Sequence, residues 1–226
     1  MMAKGLFITG TGTDIGKTYV TGLIVKKMRE AGFDTGYYKA AISGAENVAA
    51  SDAGYVNRVG NIHEDEKLIL SYLYKTAVSP HLAARLEGNP VERAKVEKDF
   101  AAVTARYPYV TMEGSGGIIC PIRYDEQAHY FLEDVVHWLK LPVLVIGLAG
   151  LGTINDVVLT VYYLEQHGME VRGIILNHYQ GGVMEEDNIK MIEAITKKKV
   201  VALVRDGAET LDIDPQVLAD LYKEVK

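Results

Sequence analysis

The stretch Gly10-Thr11-Gly12-Thr13-Asp14-Ile15-Gly16-Lys17-Thr18 decides the fold of this chain. It follows an apolar run, residues 6–9, that is typical of a buried strand, and it precedes residues 19–28, whose pattern predicts a helix. A glycine-rich turn between a strand and a helix that begins Gly-Lys-Thr is the context that a phosphate-binding P-loop requires. The first glycine lies one residue earlier than in the strict pattern, so this loop is a variant with one extra residue.

The residue types of this loop fit a nucleoside triphosphate and its metal. Glycines let backbone N–H groups converge on an anion, and the helix N-terminus adds the positive end of its dipole. Lys17 brings a full positive charge to the outer phosphates, and Thr18 offers a hydroxyl to Mg²⁺. The alternative, a Gly/Thr-rich turn with an unrelated lysine, is disfavoured by the flanking strand and helix.

Composition restricts the class of protein. The chain has 226 residues, of which 48% are hydrophobic, so we expect one domain over residues 1–226 with a large core. The net charge of −6 gives no electrostatic case for binding nucleic acid, and one cysteine excludes an intramolecular disulfide and fits the cytoplasm. The longest apolar run, residues 141–151, is too short to span a membrane, and we expect no signal peptide.

Strand and helix patterns alternate along the rest of the chain. This alternation predicts an α/β, P-loop NTPase-like fold with a mostly parallel sheet and helices on both faces. Residues 66–76 are predicted as loop or weak helix, and residues 118–128 as loop. Further strands are predicted at 35–39, 107–112, 142–147, 171–177 and 199–204, and helices at 46–60, 79–86, 90–106, 129–140, 150–167, 184–196 and 215–223.

Polar side chains at strand ends are the next candidates, because ligands of open α/β sheets collect at the carboxyl ends of strands. Glu113 ends an apolar strand and is a candidate metal ligand in a P-loop fold. Three other residues are ambiguous on their own. Lys39 is either a site residue or a solvated lysine, Asp52 either a metal ligand or a helix cap, and Asn177 either a reader of a base edge or an ordinary strand-end residue.

Several motifs, in register over most of the chain, resemble the dethiobiotin synthetase family. The loop Gly-Thr-x-Thr-x-x-Gly-Lys-Thr is the first of them, and the set at these intervals is far more specific than any single motif. The others are Tyr38-Lys39 with Ser43-Gly44, Ser-Asp-Ala at 51–53, Ser-Pro-His at 79–81, Glu-Gly-x-Gly-Gly at 113–117 with Pro121, Leu-Gly-x-Ile-Asn at 151–155, and Asn177.

The resemblance implies an ATP-dependent and Mg²⁺-dependent cytoplasmic ligase of biotin synthesis that acts on 7,8-diaminononanoate and CO₂ as a homodimer. It implies that Lys17 and Lys39 neutralise charge on the phosphates and the carbamate, and that Thr13 and Ser43 position the substrate. Three sets of residues follow from the same resemblance. ATP would be held by Gly12, Thr13, Asp14, Ile15, Gly16, Lys17, Thr18, Glu113 and Asn177, Mg²⁺ by Thr18, Asp52 and Glu113, and the substrate carboxylate by the partner subunit through Gly152, Thr153, Ile154 and Asn155.

The chain departs from the family pattern around the base and the carboxylate end. Gly150 replaces a frequent basic residue, Asp156 a usual histidine, and His178 a frequent acidic residue. Residues 202–205 read Ala-Leu-Val-Arg in place of Gly-x-Ile-Pro. A relaxed nucleotide preference is therefore a hypothesis, motivated by His178 and Arg205.

Three other functions compete with the ligase. A corrinoid amidoligase shares the variant loop but carries a glutaminase domain that this length cannot hold. A partitioning-type ATPase switch often has a second lysine early in the loop, where Thr11 stands here. The third is a weakened relative that only binds nucleotide.

Overall fold

The computed structural model describes residues 2–225, and a mostly parallel sheet lies at its centre. Within these residues the sheet has eight strands, and two further strands form a small antiparallel sheet. The central strands are β1 (Lys4–Gly10), β2 (Thr35–Ser43), β3 (Leu70–Tyr74), β4 (Tyr109–Glu113), β7 (Val143–Leu148), β8 (Val171–Asn177), β9 (Val200–Leu203) and β10 (Lys223–Glu224); the small sheet contains β5 (Pro121–Tyr124) and β6 (His129–Phe131).

Helices follow most of the strands. They are α1 (Lys17–Glu30), α2 (Asp52–Val59), α3 (Glu66–Ile69), α4 (Pro80–Leu86), α5 (Arg93–Arg106), α6 (Leu132–Leu139), α7 (Thr153–Gln166), α8 (Val183–Thr196) and α9 (Pro215–Ala219). No helix within residues 2–225 combines the length and the apolar character that crossing a bilayer demands.

The strand order is β3-β2-β4-β1-β7-β8-β9, so β1 lies in the middle, and β10 pairs antiparallel with its first residues. All other pairs in this sheet are parallel. The carboxyl ends of β1, β2 and β4 therefore lie side by side at one end of the sheet. This arrangement brings the phosphate loop, Lys39 and Glu113 together.

The sheet has a core on each face, as the continuous apolar strands predict. Alternate residues of β1 point to opposite sides: Leu6 and Ile8 pack with α1 and α9, whereas Phe7 packs into the larger cluster on the other side. The same alternation holds in β7, where Leu144 and Ile146 join the α1 side. The predicted fold class is confirmed.

Two segments predicted as irregular contain strands. The prediction of loop or weak helix over 66–76 is wrong, because only Glu66–Ile69 is helical and Leu70–Tyr74 forms the edge strand β3. The loop predicted over 118–128 contains β5, which pairs with β6. Arg123 stabilises that hairpin: it is buried and donates hydrogen bonds to Glu92 and Asp125.

Several boundaries also differ from the prediction. Strand β2 continues to Ser43, through residues 40–43 that look like a loop in sequence, because the new edge strand β3 pairs with it. The helix predicted over 46–60 begins only at Asp52, and the one predicted over 129–140 begins at Leu132. The last helix ends at Ala219 because the chain then returns to β1 as β10.

Candidate active site

The phosphate loop joins β1 to α1 in a left-handed backbone path. Asp14 and Gly16 have φ angles of 57° and 83°. A Cβ atom on Gly16 would lie 2.2 Å from Asn177 Nδ2, so glycine is required there both by conformation and by space. Lys17 is buried at the start of α1, and its Nζ donates a hydrogen bond of 2.6 Å to the carbonyl of Gly12.

Lys39 and Glu113 are brought together by strand register. They are direct Cα partners on β2 and β4, so their side chains share one face of the sheet. Lys39 Nζ lies 2.8 Å from Glu113 Oε1 and 2.6 Å from Asp52 Oδ2. Lys39 is 2% exposed, which rules out the solvated lysine that its sequence context alone favours. Asp52 is the first residue of α2, after the N-cap Ser51, and it bonds Lys39 rather than capping the helix.

Glu113 accepts hydrogen bonds from three side chains, which lie on α1 and β2. The Thr18 hydroxyl donates to Oε1 at 2.7 Å, beside Lys39, and the Tyr37 hydroxyl donates to Oε2 at 3.1 Å. Tyr37 is absent from the site residues that the sequence predicts, although its position two residues before Lys39 on a strand places it on the same face. These bonds fix the Glu113 carboxylate in one orientation.

Burial and neighbouring charge act in opposite directions on the ionisable groups. Burial lowers the pKa of Lys39, but Glu113 and Asp52 outweigh it and hold that pKa above the ordinary lysine value. For Asp52, burial opposes the charge, yet Lys39 brings the carboxyl pKa below its usual value. The pKa of Lys17 is lowered, first by burial and then by the charge of Lys39. Lys39 therefore keeps its proton more firmly than Lys17 does.

One cleft of about 620 Å³ opens on these groups. The sequence-predicted residues that line it are Thr13, Asp14, Gly16, Lys17, Thr18, Lys39, Ser43, Asp52 and Glu113. Ser43 Oγ donates to the carbonyl of Val78, which leaves its lone pairs as acceptors toward the cleft. Ser79 and Cys120 also line it; burial raises the pKa of the Cys120 thiol to about 11, which makes that thiol a poor nucleophile.

Asn177 lies beside the loop rather than in this cleft. Its side chain is buried, and Nδ2 donates a hydrogen bond of 2.9 Å to the carbonyl of Ile15. That bond fixes which way the amide faces and leaves Oδ1 and one N–H for another partner. Its neighbour His178 pairs with Asp206, and Arg205 lies over the ring of Tyr179 at 5.0 Å.

Gly152, Thr153, Ile154 and Asn155 form the N-terminus of α7, outside the cleft. Gly152 has a φ of 93°, which turns the chain into the helix. Thr153 is 3% exposed, and its Oγ1 has no hydrogen-bond partner among the described residues. The N–H groups at the N-terminus of a helix suit an anion such as a carboxylate.

The oxygen ligands beside the loop fit Mg²⁺. Two carboxylates, Asp52 and Glu113, adjoin the Thr18 hydroxyl. Across residues 2–225, His, Cys, Asp and Glu side chains form no group of three that could hold a metal by themselves. Mg²⁺ commonly uses only one or two carboxylates, with water and substrate phosphates completing its shell, so the residues present match its requirements.

The strand order and the variant loop define a P-loop NTPase. A chain of the MinC:MinD cell division protein complex of Aquifex aeolicus superposes with a TM-score of 0.58 at 16% identity, covering 92% of this chain and 83% of that one. The cell division protein FtsY of Thermotoga maritima gives 0.53 at 14% identity, covering 97% and 68%. At these identities the similarity establishes the fold alone.

Sequence similarity is more specific. A family model described as an AAA domain matches residues 4–209. The ATP-dependent dethiobiotin synthetase BioD of Brachyspira hyodysenteriae is 48% identical over 212 residues, which are 93% of this chain and 96% of that protein. The protein of the same name from Clostridium botulinum is 45% identical over 226 residues, 98% and 99% of the two chains. This chain belongs to the dethiobiotin synthetase family.

Proposed function

We propose that this protein is an ATP-dependent ligase that converts 7,8-diaminononanoate and CO₂ to dethiobiotin in the cytoplasm. The observation that carries the proposal is the meeting of Lys17, Thr18, Lys39, Asp52 and Glu113 around one cleft, in a chain 48% identical to a dethiobiotin synthetase. We also propose that this one domain spans residues 1–226 and that its partners are small molecules and a second copy of the chain.

The proposed reaction has three steps. One amine of the substrate adds to CO₂ and loses a proton, which gives a carbamate anion. The carbamate oxygen takes the γ-phosphoryl group of ATP, and ADP leaves. The second amine then attacks the carbamate carbon, and the ring closes as inorganic phosphate departs and that amine loses a proton.

Two lysines neutralise the negative charge that is present in these steps. Lys17, at the N-terminus of α1, faces the phosphates that the loop binds, and Lys39 supplies charge to the carbamate and the transferring phosphoryl group. Cations fixed in a buried site stabilise charge that develops in the transition state. Mg²⁺, when held by Thr18, Asp52 and Glu113 directly or through water, adds positive charge at the phosphate oxygens.

Neutral groups orient the reactants. Ser43 and Thr13 line the cleft, and the free lone pairs of the Ser43 hydroxyl accept hydrogen bonds from a substrate amine. Asn177 offers its remaining acceptor and donor to the base of ATP while its other N–H stays on the loop. The loop N–H groups from Gly12 to Thr18 hold the phosphates.

A homodimer completes the site in this proposal. The α7 N-terminus, residues 152–155, lies outside the cleft of its own subunit, so it would receive the carboxylate of a substrate bound by the other subunit. Exposed apolar side chains support an interface on the same helix. Leu151 is 92% exposed, and Leu159 and Tyr162 are exposed farther along α7.

Charge placed on that helix face should separate the subunits. We expect Leu159→Asp combined with Tyr162→Asp to halve the mass measured by light scattering, because desolvating two carboxylates opposes association. Turnover should fall while ATP still binds, since both residues lie outside the ATP-binding set. Thr160→Asp, at a half-buried position of the same helix, tests whether charge alone acts. If the mass of the double variant is unchanged, α7 is not part of the interface.

ATP affinity should depend on alkaline pH through Lys17. Its pKa in the free protein lies below the ordinary lysine value of 10.5, and bound phosphates favour its charged form. The affinity should therefore fall as pH rises through that lowered pKa, by up to about tenfold per pH unit. Lys17→Arg keeps its charge over this range, so its affinity, measured by calorimetry, should stay level. An equal fall in both proteins would assign the effect to another group.

Phosphate release tests the ligase against its rivals. With bicarbonate, Mg²⁺ and ATP present, release should be slow until 7,8-diaminononanoate is added. Release that responds instead to DNA or lipid vesicles would favour a partitioning-type switch. ATP binding with no release under any of these conditions would identify a relative that only binds nucleotide. Replacing ATP by other nucleoside triphosphates in the same assay tests the relaxed preference: turnover with ATP alone would refute it.

A further inference from the structure

Lys39 already bonds the two carboxylates that are proposed to hold Mg²⁺. Its ammonium bonds Asp52 Oδ2 at 2.6 Å and Glu113 Oε1 at 2.8 Å. The Thr18 hydroxyl points its proton at the same Glu113 oxygen, at 2.7 Å. Each of the three proposed metal residues is thus committed to a hydrogen bond inside this cluster.

An ammonium group and a divalent metal compete for such oxygens. Mg²⁺ requires ligand oxygens at about 2.0–2.1 Å and a nearly octahedral arrangement, which leaves little freedom to share lone pairs with a neighbouring donor. The two cations also repel each other at this separation. A metal ion bound to the same carboxylates therefore weakens the bonds that Lys39 makes to them.

The surroundings of Lys39 allow it to leave on one side. The Glu113 side chain is wholly buried, whereas 47% of the Asp52 side chain is exposed, at the first residue of α2. Lys39, Asp52 and Glu113 all line the cleft of about 620 Å³, so an ammonium released from Asp52 has the cleft to move into.

We infer that Lys39 is a place-holding cation, which neutralises Asp52 and Glu113 until the metal–nucleotide complex takes over these carboxylates and releases the ammonium into the cleft. The inference rests on the proposed function, because it assigns the released charge to the carbamate and the transferring phosphoryl group. Metal binding and delivery of the Lys39 charge are then one coupled event. Coupling is reciprocal, so Lys39 also weakens metal binding in the absence of nucleotide.

Binding of Mn²⁺ to this chain, freed of nucleotide, tests this directly. Free Mn²⁺ is counted by its electron paramagnetic resonance signal. Lys39→Met should bind Mn²⁺ about tenfold or more tightly than the wild type, because it removes a cation that competes for the ligands. Lys17→Met is the matched control: it removes a charge from the same cleft, but Lys17 bonds the Gly12 carbonyl rather than a carboxylate. Its gain in affinity should be clearly smaller.

A second variant tests whether the effect of Lys39→Met comes from the lost charge or from misfolding. Lys39→Gln keeps an N–H donor for one carboxylate but carries no charge, so it should also tighten Mn²⁺ binding, and circular dichroism confirms that it is folded. Equal Mn²⁺ affinity in the wild type and in both Lys39 variants would overturn the inference, as would an equal gain in Lys17→Met.

The outcome is independent of the ligase assay. If the wild type forms no dethiobiotin yet Lys39→Met tightens Mn²⁺ binding, the proposed function fails and the place-holding cation stands. If the wild type is active and the Mn²⁺ affinities are equal, the proposed function stands and the place-holding cation fails.

Discussion

Lys39→Met is expected to lower kcat by a factor on the order of 10²–10³, the usual cost of removing one group that stabilises transition-state charge. ATP affinity should change by much less, because the loop N–H groups and Lys17 hold the phosphates. Glu113 and Asp52 hold the pKa of Lys39 above the ordinary lysine value, so under the proposed function Lys39 is positively charged when the carbamate is phosphorylated. Steady-state kinetics together with calorimetry of ATP binding separates the two effects.

The control for this variant is Lys199→Met. Lys199 is exposed and pairs with Glu193. It precedes β9, the last strand of the sheet, whereas the cleft lies at the carboxyl ends of β1, β2 and β4. Its replacement should leave kcat unchanged. Should ATP binding collapse in Lys39→Met while single-turnover chemistry survives, Lys39 would be a nucleotide-binding residue and its role at the carbamate would be wrong.

Glu113→Gln is expected to have the second largest effect, because under the proposed function one carboxylate serves both the metal site and the buried hydrogen bonds. The amide can still accept from Thr18 and Lys39, so the geometry changes little while the charge is lost. We expect kcat/KM for ATP to fall about 10²-fold, with half-maximal activity at a higher Mg²⁺ concentration. The free energy of unfolding should fall by about 2 kcal/mol, the value of a hydrogen bond to a charged group.

Urea denaturation and a Mg²⁺ titration of activity measure these two effects separately. Glu165→Gln is the comparison, because Glu165 forms a half-exposed ion pair with Lys198 and lies on α7. It should change neither quantity by much, since surface ion pairs contribute roughly 0–1 kcal/mol. If Glu113→Gln reaches half-maximal activity at the same Mg²⁺ concentration as the wild type, Glu113 is not a metal ligand.

The central fold could be predicted because its signals are local. The phosphate loop carries its own geometry, and parallel strands place their carboxyl ends at one edge of the sheet, so Lys17, Lys39 and Glu113 had to lie near one another. Asp52 by itself is predicted as a helix cap, and only the family motifs predict it as a site residue. Local sequence could not predict its contact, because a cap prediction uses neighbouring residues whereas the ion pairs of Lys39 with Asp52 and Glu113 join residues far apart in sequence.

The segments that could not be predicted depend on distant partners. Strand β3 has the alternating burial of a half-exposed strand, but its identity comes from pairing with β2. The β5–β6 hairpin contains the buried Arg123, whose charge is satisfied by Glu92 from another part of the chain. Tyr37 could be placed beside Lys39 by strand periodicity, but its bond to Glu113 follows only from the order of β2 and β4.

The most direct test of the proposed ligase is the fate of labelled carbon. The wild-type protein is incubated with ¹³C-bicarbonate, Mg²⁺, ATP and 7,8-diaminononanoate, and mass spectrometry and a phosphate assay follow the products. We expect one ¹³C atom in the ureido carbon of each dethiobiotin formed, and one phosphate released for each product molecule. ATP consumed at the same rate without the diamine, with no labelled cyclic urea, would contradict the assignment of this cleft to ligase chemistry.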